Sequence, residues 1–166
     1  MQKLDVMIGK MRLLLADIAA REEQALTLRR QFSDQRERVL GHGIYGNFPL
    51  SHMLGMLADA DERLADVERT LRHLRLLRER VQAELESLEL TKGIEEAKSE
   101  LARLEARRDT LERAGVSGAL DAAQEIEAIQ REIRRLQAAI NEASERAART
   151  LEARRAREEA SGPGLR

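Results

Sequence analysis

Apolar residues return every seven positions along most of this chain. Leu4, Met11, Ile18, Ala25, Phe32 and Val39 form one series, with Met7, Leu14 and Leu28 assigned to the intervening row. Leu50, Leu57, Leu64 and Leu71 form a second with Met53, Ala60, Val67 and Leu74, and the row continues to Val81, Leu85 and Leu88. Ile126, Ile133 and Ile140 form a third, with Ile129 and Leu136 between them. A seven-residue repeat keeps a narrow apolar stripe on one side of a helix, and such a stripe is stable only when another helix covers it. The pattern predicts an all-α protein of long antiparallel coiled-coil helices, a helical hairpin extended into an elongated three-helix bundle.

Glycine-centred breaks set the expected boundaries. A first helix is predicted over about 3–40, ended by Gly41 and Gly43, whose backbone freedom suits a helix C-terminus. The second is predicted over about 51–113, with Pro49 tolerated near its start and Asn47 or Ser51 as its cap. The apolar phase shifts across Thr91, Lys92 and Gly93, which marks a weak point, because one glycine costs a helix about 1 kcal/mol. The second break is predicted over 114–119, where Gly115 is the expected C-terminal cap and Ser117 or Asp121 the next N-cap, and the third helix is predicted over about 120–159. The expectation is one elongated domain over 1–160 and a disordered tail over 161–166. Folding back at residue 45 or 46 sets Phe32 against Asp59, Leu14 against Leu77, and Arg29 and Arg30 against Asp61 and Glu62. Folding back near residue 116 sets Leu104 against Ile129 and Ile140 against Gly93. Short connections of this kind join antiparallel neighbours. Two-helix sections bury little area, which favours self-association into a dimer.

Composition fits the same picture. Aromatic residues make up 2% of the chain and charged residues 36%, whereas a compact core relies on large rings for its buried area. The net charge of −1 gives no overall attraction to nucleic acid or an anionic membrane. With no cysteine, disulfides, thiol catalysis and thiolate zinc sites are excluded. Asp5, Lys10, Arg12 and Asp17 interrupt every apolar stretch near the N-terminus, so no signal peptide or membrane span is expected, and the expected setting is cytoplasmic.

Four segments carry candidate chemistry. Gly41, His42, Gly43, Ile44, Tyr45 and Gly46 spell G-x-G-x-x-G, but a dinucleotide site needs this motif between a strand and a helix. It follows an amphipathic helix instead, so it is read as a connecting loop, and no cofactor is expected. The same loop, taken over 41–52, holds two of the three aromatic residues, Tyr45 and Phe48, flanked by Ile44 and Leu50. Such a cluster either plugs the end of a helical hairpin or anchors a protein partner. His42, His52 and His73 do not make a metal site without further converging ligands, so no metal is expected. Arg146, Arg149, Arg154, Arg155 and Arg157 form a basic stretch able to track phosphates, but Glu145, Glu152, Glu158 and Glu159 lie among them. Arg21, Gln35 and Arg78 fall at expected stripe positions, where polar residues set register or partner choice.

No residue set specifies a reaction, and the carboxylates Asp59, Asp61, Glu62 and Asp66 lie on a helix face with no cleft to shift their pKa. In size and helix content the chain resembles small antiparallel coiled-coil proteins of bacterial export stalks and secretion chaperones. No diagnostic motif carries that likeness, and the third helix departs from a two-helix stalk, so no family is assigned. The expected function is a non-enzymatic interaction or assembly module, an adaptor, scaffold or chaperone-like protein. It binds a protein partner through the 41–52 loop and associates with itself along its length. The alternatives are a nucleic-acid-associated rod using the C-terminal arginines and a purely structural oligomeriser.

Overall fold

The computed structural model describes residues 2–46, 48–114 and 119–161. Among these the chain is all-helical, with α1 over Gln2–Tyr45, α2 over Leu50–Ala114 and α3 over Ala119–Ser161, and no strand. No described helix is long and apolar enough to cross a membrane. The proposed caps Asn47, Gly115 and Ser117 and the tail beyond Ser161 lie outside the described residues.

The first helix is longer than its glycines suggest. Gly41 and Gly43 are both inside α1, which ends at Tyr45, and Gly46 closes it by donating its N–H to the His42 carbonyl at 2.7 Å. Glycine inside a helix weakens it by about 1 kcal/mol but does not break its hydrogen-bond ladder. Ser51 and Asp121 are not caps either, since α2 begins at Leu50 and α3 at Ala119. At the start of α2 the Pro49 carbonyl accepts from His52 and Met53, at 3.0 and 3.2 Å. Thr91, Lys92 and Gly93 are helical, so α2 runs through the expected weak point.

Chain contacts divide the molecule into two compact units, one of Val6–Leu85 and one of Met1–Asp5 with Glu86–Arg166. In the first, the inward line of α1 runs through Ile8, Met11, Leu15, Ile18, Glu22, Ala25, Arg29, Phe32, Arg36, Val39 and Gly43, all buried or half-buried. Steps of three and four alternate along this line, so it stays on one face. The matching line of α2 is Met53, Leu57, Ala60, Leu64, Val67, Leu71, Leu74, Val81 and Leu85, with Arg78 at the remaining step. Ile18 packs with Leu74 and Val81, against Met11 and Leu15. Ala25 packs with Val67 and Leu71, against Leu26 and Phe32, and the Arg63 guanidinium lies 5.7 Å from the Phe32 ring centre.

One expected row is corrected. Met7, Leu14 and Leu28 are exposed, and their places on the inward line are taken by Ile8, Leu15, Glu22, Arg29 and Arg36. The polar members hold those places because α2 supplies the opposite charge: Glu22 pairs with Arg78, Arg29 with Glu68 at 3.1 Å, and Arg36 with Asp61 at 2.8 Å. As the α1 number rises from 22 to 36, the α2 number falls from 78 to 61. Arg29 therefore meets Glu68, more than one helical turn beyond the expected Asp61 and Glu62, because α1 persists to Tyr45 and the turn lies later in the chain. Arg21 is displaced from the line altogether and bonds Asp17 on its own helix at 3.3 Å.

In the second unit Leu90, Ile94, Ala97, Leu101, Leu104, Arg108 and Leu111 of α2 are half-buried at alternating steps of four and three. In α3 the corresponding set is Ala122, Ile126, Ile129, Ile133, Leu136, Ile140 and Ala143, with Ile129 and Ile133 buried. Arg107 bonds Glu125, within one residue of the expected pairing between these helices. Lys92 bonds Asp5 at 2.6 Å, and that hydrogen bond lowers the Asp5 pKa and raises that of Lys92.

The glycines separate into two kinds. A Cβ at Gly41 meets nothing within 4 Å, while one at Gly46 would lie 2.5 Å from the His42 carbonyl oxygen. Gly41→Ala is expected to raise stability by about 1 kcal/mol, and Gly46→Ala to lower it by about 1–3 kcal/mol, both read from urea melts followed by circular dichroism. Glu22 is 8% exposed, whereas its partner Arg78 is largely exposed. Arg78→Ala leaves that carboxylate unpaired and is expected to cost about 1–3 kcal/mol. Leucine at both positions restores an apolar layer and is expected to raise the thermal midpoint above that of the parent.

Candidate interaction site at the α1–α2 turn

The end of α1 and the start of α2 border an open cavity of about 350 Å³. Helical spacing brings Gln35, Arg38, Val39, His42 and Gly43 to it from α1, since these residues recur at three and four positions. From the other side come Phe48, just before α2, and His52, Met53 and Met56 within it. Val39, Phe48, Met53 and Met56 make the wall apolar, and Gln35, Arg38, His42 and His52 supply its polar groups.

Two local features shape this space. Gly43 lies where a Cβ would overlap the terminal methyl of Met53 and sit 2.9 Å from its Sδ, so glycine lets the thioether reach across the helix pair. Phe48 stacks on His52 with ring centres 5.9 Å apart and planes inclined by 22°. That contact fixes the ring against the first turn of α2.

The four apolar residues nominated from sequence divide here. Phe48 lines the cavity while remaining 53% exposed, and so combines inward packing with an outward face. Tyr45, at the last position of α1, is 92% exposed and plugs nothing. Ile44 and Leu50 are also exposed, beside the cavity residues in the chain. The seven-residue spacing places Met53 in the apolar row of α2, and no sequence signal singles out Met56. Of the two, Met53 is the one that lies against Gly43.

His42 and His52 share the cavity, but His73 is not among its lining residues. Among the described residues no group of three or more His, Asp or Glu side chains is placed to hold a metal ion. Of the C-terminal arginines, Arg146 bonds Glu142 at 2.5 Å and Arg149 bonds Glu145 at 3.2 Å, each one turn away. Arg155 and Arg157 are exposed and Arg154 is half-buried. A second cleft, of about 460 Å³, is lined by Arg29, Arg30, Ser33, Asp34, Leu64 and Glu68. Its charges are of both signs, and Arg29 and Glu68 are bonded to each other.

Comparison with protein-family models, curated proteins and solved structures returned no match for this chain. The reading of the site therefore stands on its chemistry. Gly43→Ala is expected to push the Met53 side chain aside while leaving α1 intact, since alanine favours helix. A displaced Met53 methyl resonance at unchanged or higher helicity checks this, with ¹³C-methyl methionine spectra and circular dichroism as the readouts.

Proposed function

We propose that the protein is a non-enzymatic interaction module whose α1–α2 unit is an antiparallel coiled-coil hairpin. The falling order of α2 partners along α1 and the alternating three-and-four spacing of inward residues support that geometry. The turn over 41–52 is the protein-binding end of that unit. The observation that carries this reading is the apolar surface gathered there. Ile44, Tyr45, Phe48 and Leu50 are all exposed and close together in the chain, with Phe48 on an apolar cavity, and exposed apolar groups gathered in this way mark interaction surfaces.

Self-association is the second half of the proposal. Met7, Leu14 and Leu28 recur on one face of α1, and Leu76 and Leu77 are exposed on α2. A second copy covering these rows would complete a four-helix section. The module acts in the cytoplasm, as an adaptor, scaffold or chaperone-like protein.

The test compares wild type with a Tyr45→Ser/Phe48→Ser variant in capture from a lysate of the native host, with bound proteins identified by mass spectrometry. Neither side chain is buried, so helicity is expected to be unchanged. A protein held by wild type and lost by the equally helical variant supports the reading. Identical capture profiles at equal helicity would assign no binding role to the turn.

A further inference from the structure

The cavity at the α1–α2 turn has a chemical bias that its apolar wall does not reveal. Every charged or ionisable side chain lining it is basic: Arg38, His42 and His52. Of the carboxylates nearby in the chain, Asp61 pairs with Arg36 at 2.8 Å, Asp59 with Arg63 at 3.2 Å and Glu37 with Arg36 at 3.9 Å, while Asp34, one turn before Arg38, lines a different cleft. Arg38 has no ion-pair partner among the described residues. A guanidinium at the rim of an apolar recess is poised to accept a carboxylate in a two-point hydrogen bond.

We infer that this cavity receives a bulky apolar side chain from an acidic peptide segment of a protein partner, whose carboxylates meet Arg38, His42 and His52. The inference rests on the reading of the turn as a protein-binding end and supplies the chemistry of that partner. Three properties select a peptide. The volume, about 350 Å³, lies at the small end of the range for binding pockets and suits an inserted side chain. Met53 and Met56 adapt to different apolar shapes because their thioethers are unbranched and polarizable. Ile44, Tyr45 and Leu50 are exposed and neighbour cavity residues in the chain, so a peptide chain has apolar side chains to cover that an isolated small acid would leave bare. Charge selects an acidic segment over a basic one, since like charges at an interface oppose association.

The probe is a fluorescein-labelled peptide of sequence Glu-Asp-Phe-Leu-Asp-Glu, blocked at its C-terminus. One control replaces its acids by lysine and another replaces Phe-Leu by Ser-Ser. Binding to the full chain is followed by fluorescence anisotropy, and occupancy of the cavity by the methyl resonances of Met53 and Met56. The acidic peptide is expected to bind saturably and to shift both resonances, and its affinity to fall as salt rises from about 0.05 to about 0.5 M. Arg38→Glu with His52→Glu is expected to weaken it at least about tenfold, and Arg38→Gln to weaken it less. Both arginine variants alter an exposed side chain, and circular dichroism checks that each is folded.

Equal binding of the lysine peptide, unmoved methyl resonances, or unchanged affinity in the folded Arg38→Gln and charge-reversed variants would each overturn the inference. Binding that survives loss of Phe-Leu would overturn the inserted side chain. The two proposals fail separately. If lysate capture depends on Tyr45 and Phe48 while the acidic peptide does not bind, only the partner chemistry is wrong. If capture is also independent of the turn, the protein-binding reading fails with it.

Discussion

A helix with one narrow apolar stripe cannot shelter that stripe by itself, and this constraint governs everything else in the molecule. Among the described residues the buried side chains are Ile, Leu, Val and Ala, with Glu22 the one charged member, along single lines of contact. Each element is consequently long, because buried area can grow only along the helix axis. It also follows that the ends of a helix pair matter chemically. Along the pair each apolar layer is covered by the next, but at the turn the last layer has no successor. The α1–α2 turn is where Val39, Met53 and Met56 meet such an uncovered end, and the cavity is its physical expression.

Much of the fold was legible because periodicity depends only on residue type. Ile18, Ala25, Val39, Val67, Leu71, Leu74, Val81, Ile129 and Ile133 are buried where their seven-residue spacing puts them. The intervening row of α1 was not legible in the same way. Met7, Leu14 and Leu28 are apolar and correctly spaced, yet they face outward, and Glu22, Arg29 and Arg36 take the inward line. Hydropathy weighs a residue alone, whereas a charge at the contact line is tolerated because of the residue across from it. Glycine misled for a related reason. Gly41 and Gly43 can end a helix, but hydrogen bonding continues through them, and Gly43 serves a close approach by Met53 that only the folded pair displays.

The site was partly legible. Sequence brought out Phe48, Tyr45, Ile44 and Leu50 as a rare concentration of large apolar groups at a break, and all four are exposed at the turn. The cavity beside them joins residues from about 35 to 56, too widely separated for local inspection to associate. Its wall is methionine and valine, residue types that signal packing when read in a line. Of the α2 carboxylates singled out from sequence, Asp61 faces Arg36 of α1, whereas Asp59 and Asp66 are held by Arg63 and Arg69 of their own helix.

The pairing of Glu22 with Arg78 also restricts how α1 and α2 can slide along one another. Apolar stripes of seven-residue period are nearly indifferent to a displacement by seven, since leucine would again meet leucine or valine. Glu22 removes that indifference. Moved by seven in one direction it would face Leu71, and in the other Leu85, both buried. Either displacement strands a carboxylate in an apolar layer without a cation, at a cost of several kcal/mol. One charged layer thus confers a single longitudinal alignment on two otherwise repetitive helices, and with it a fixed set of residues at the turn.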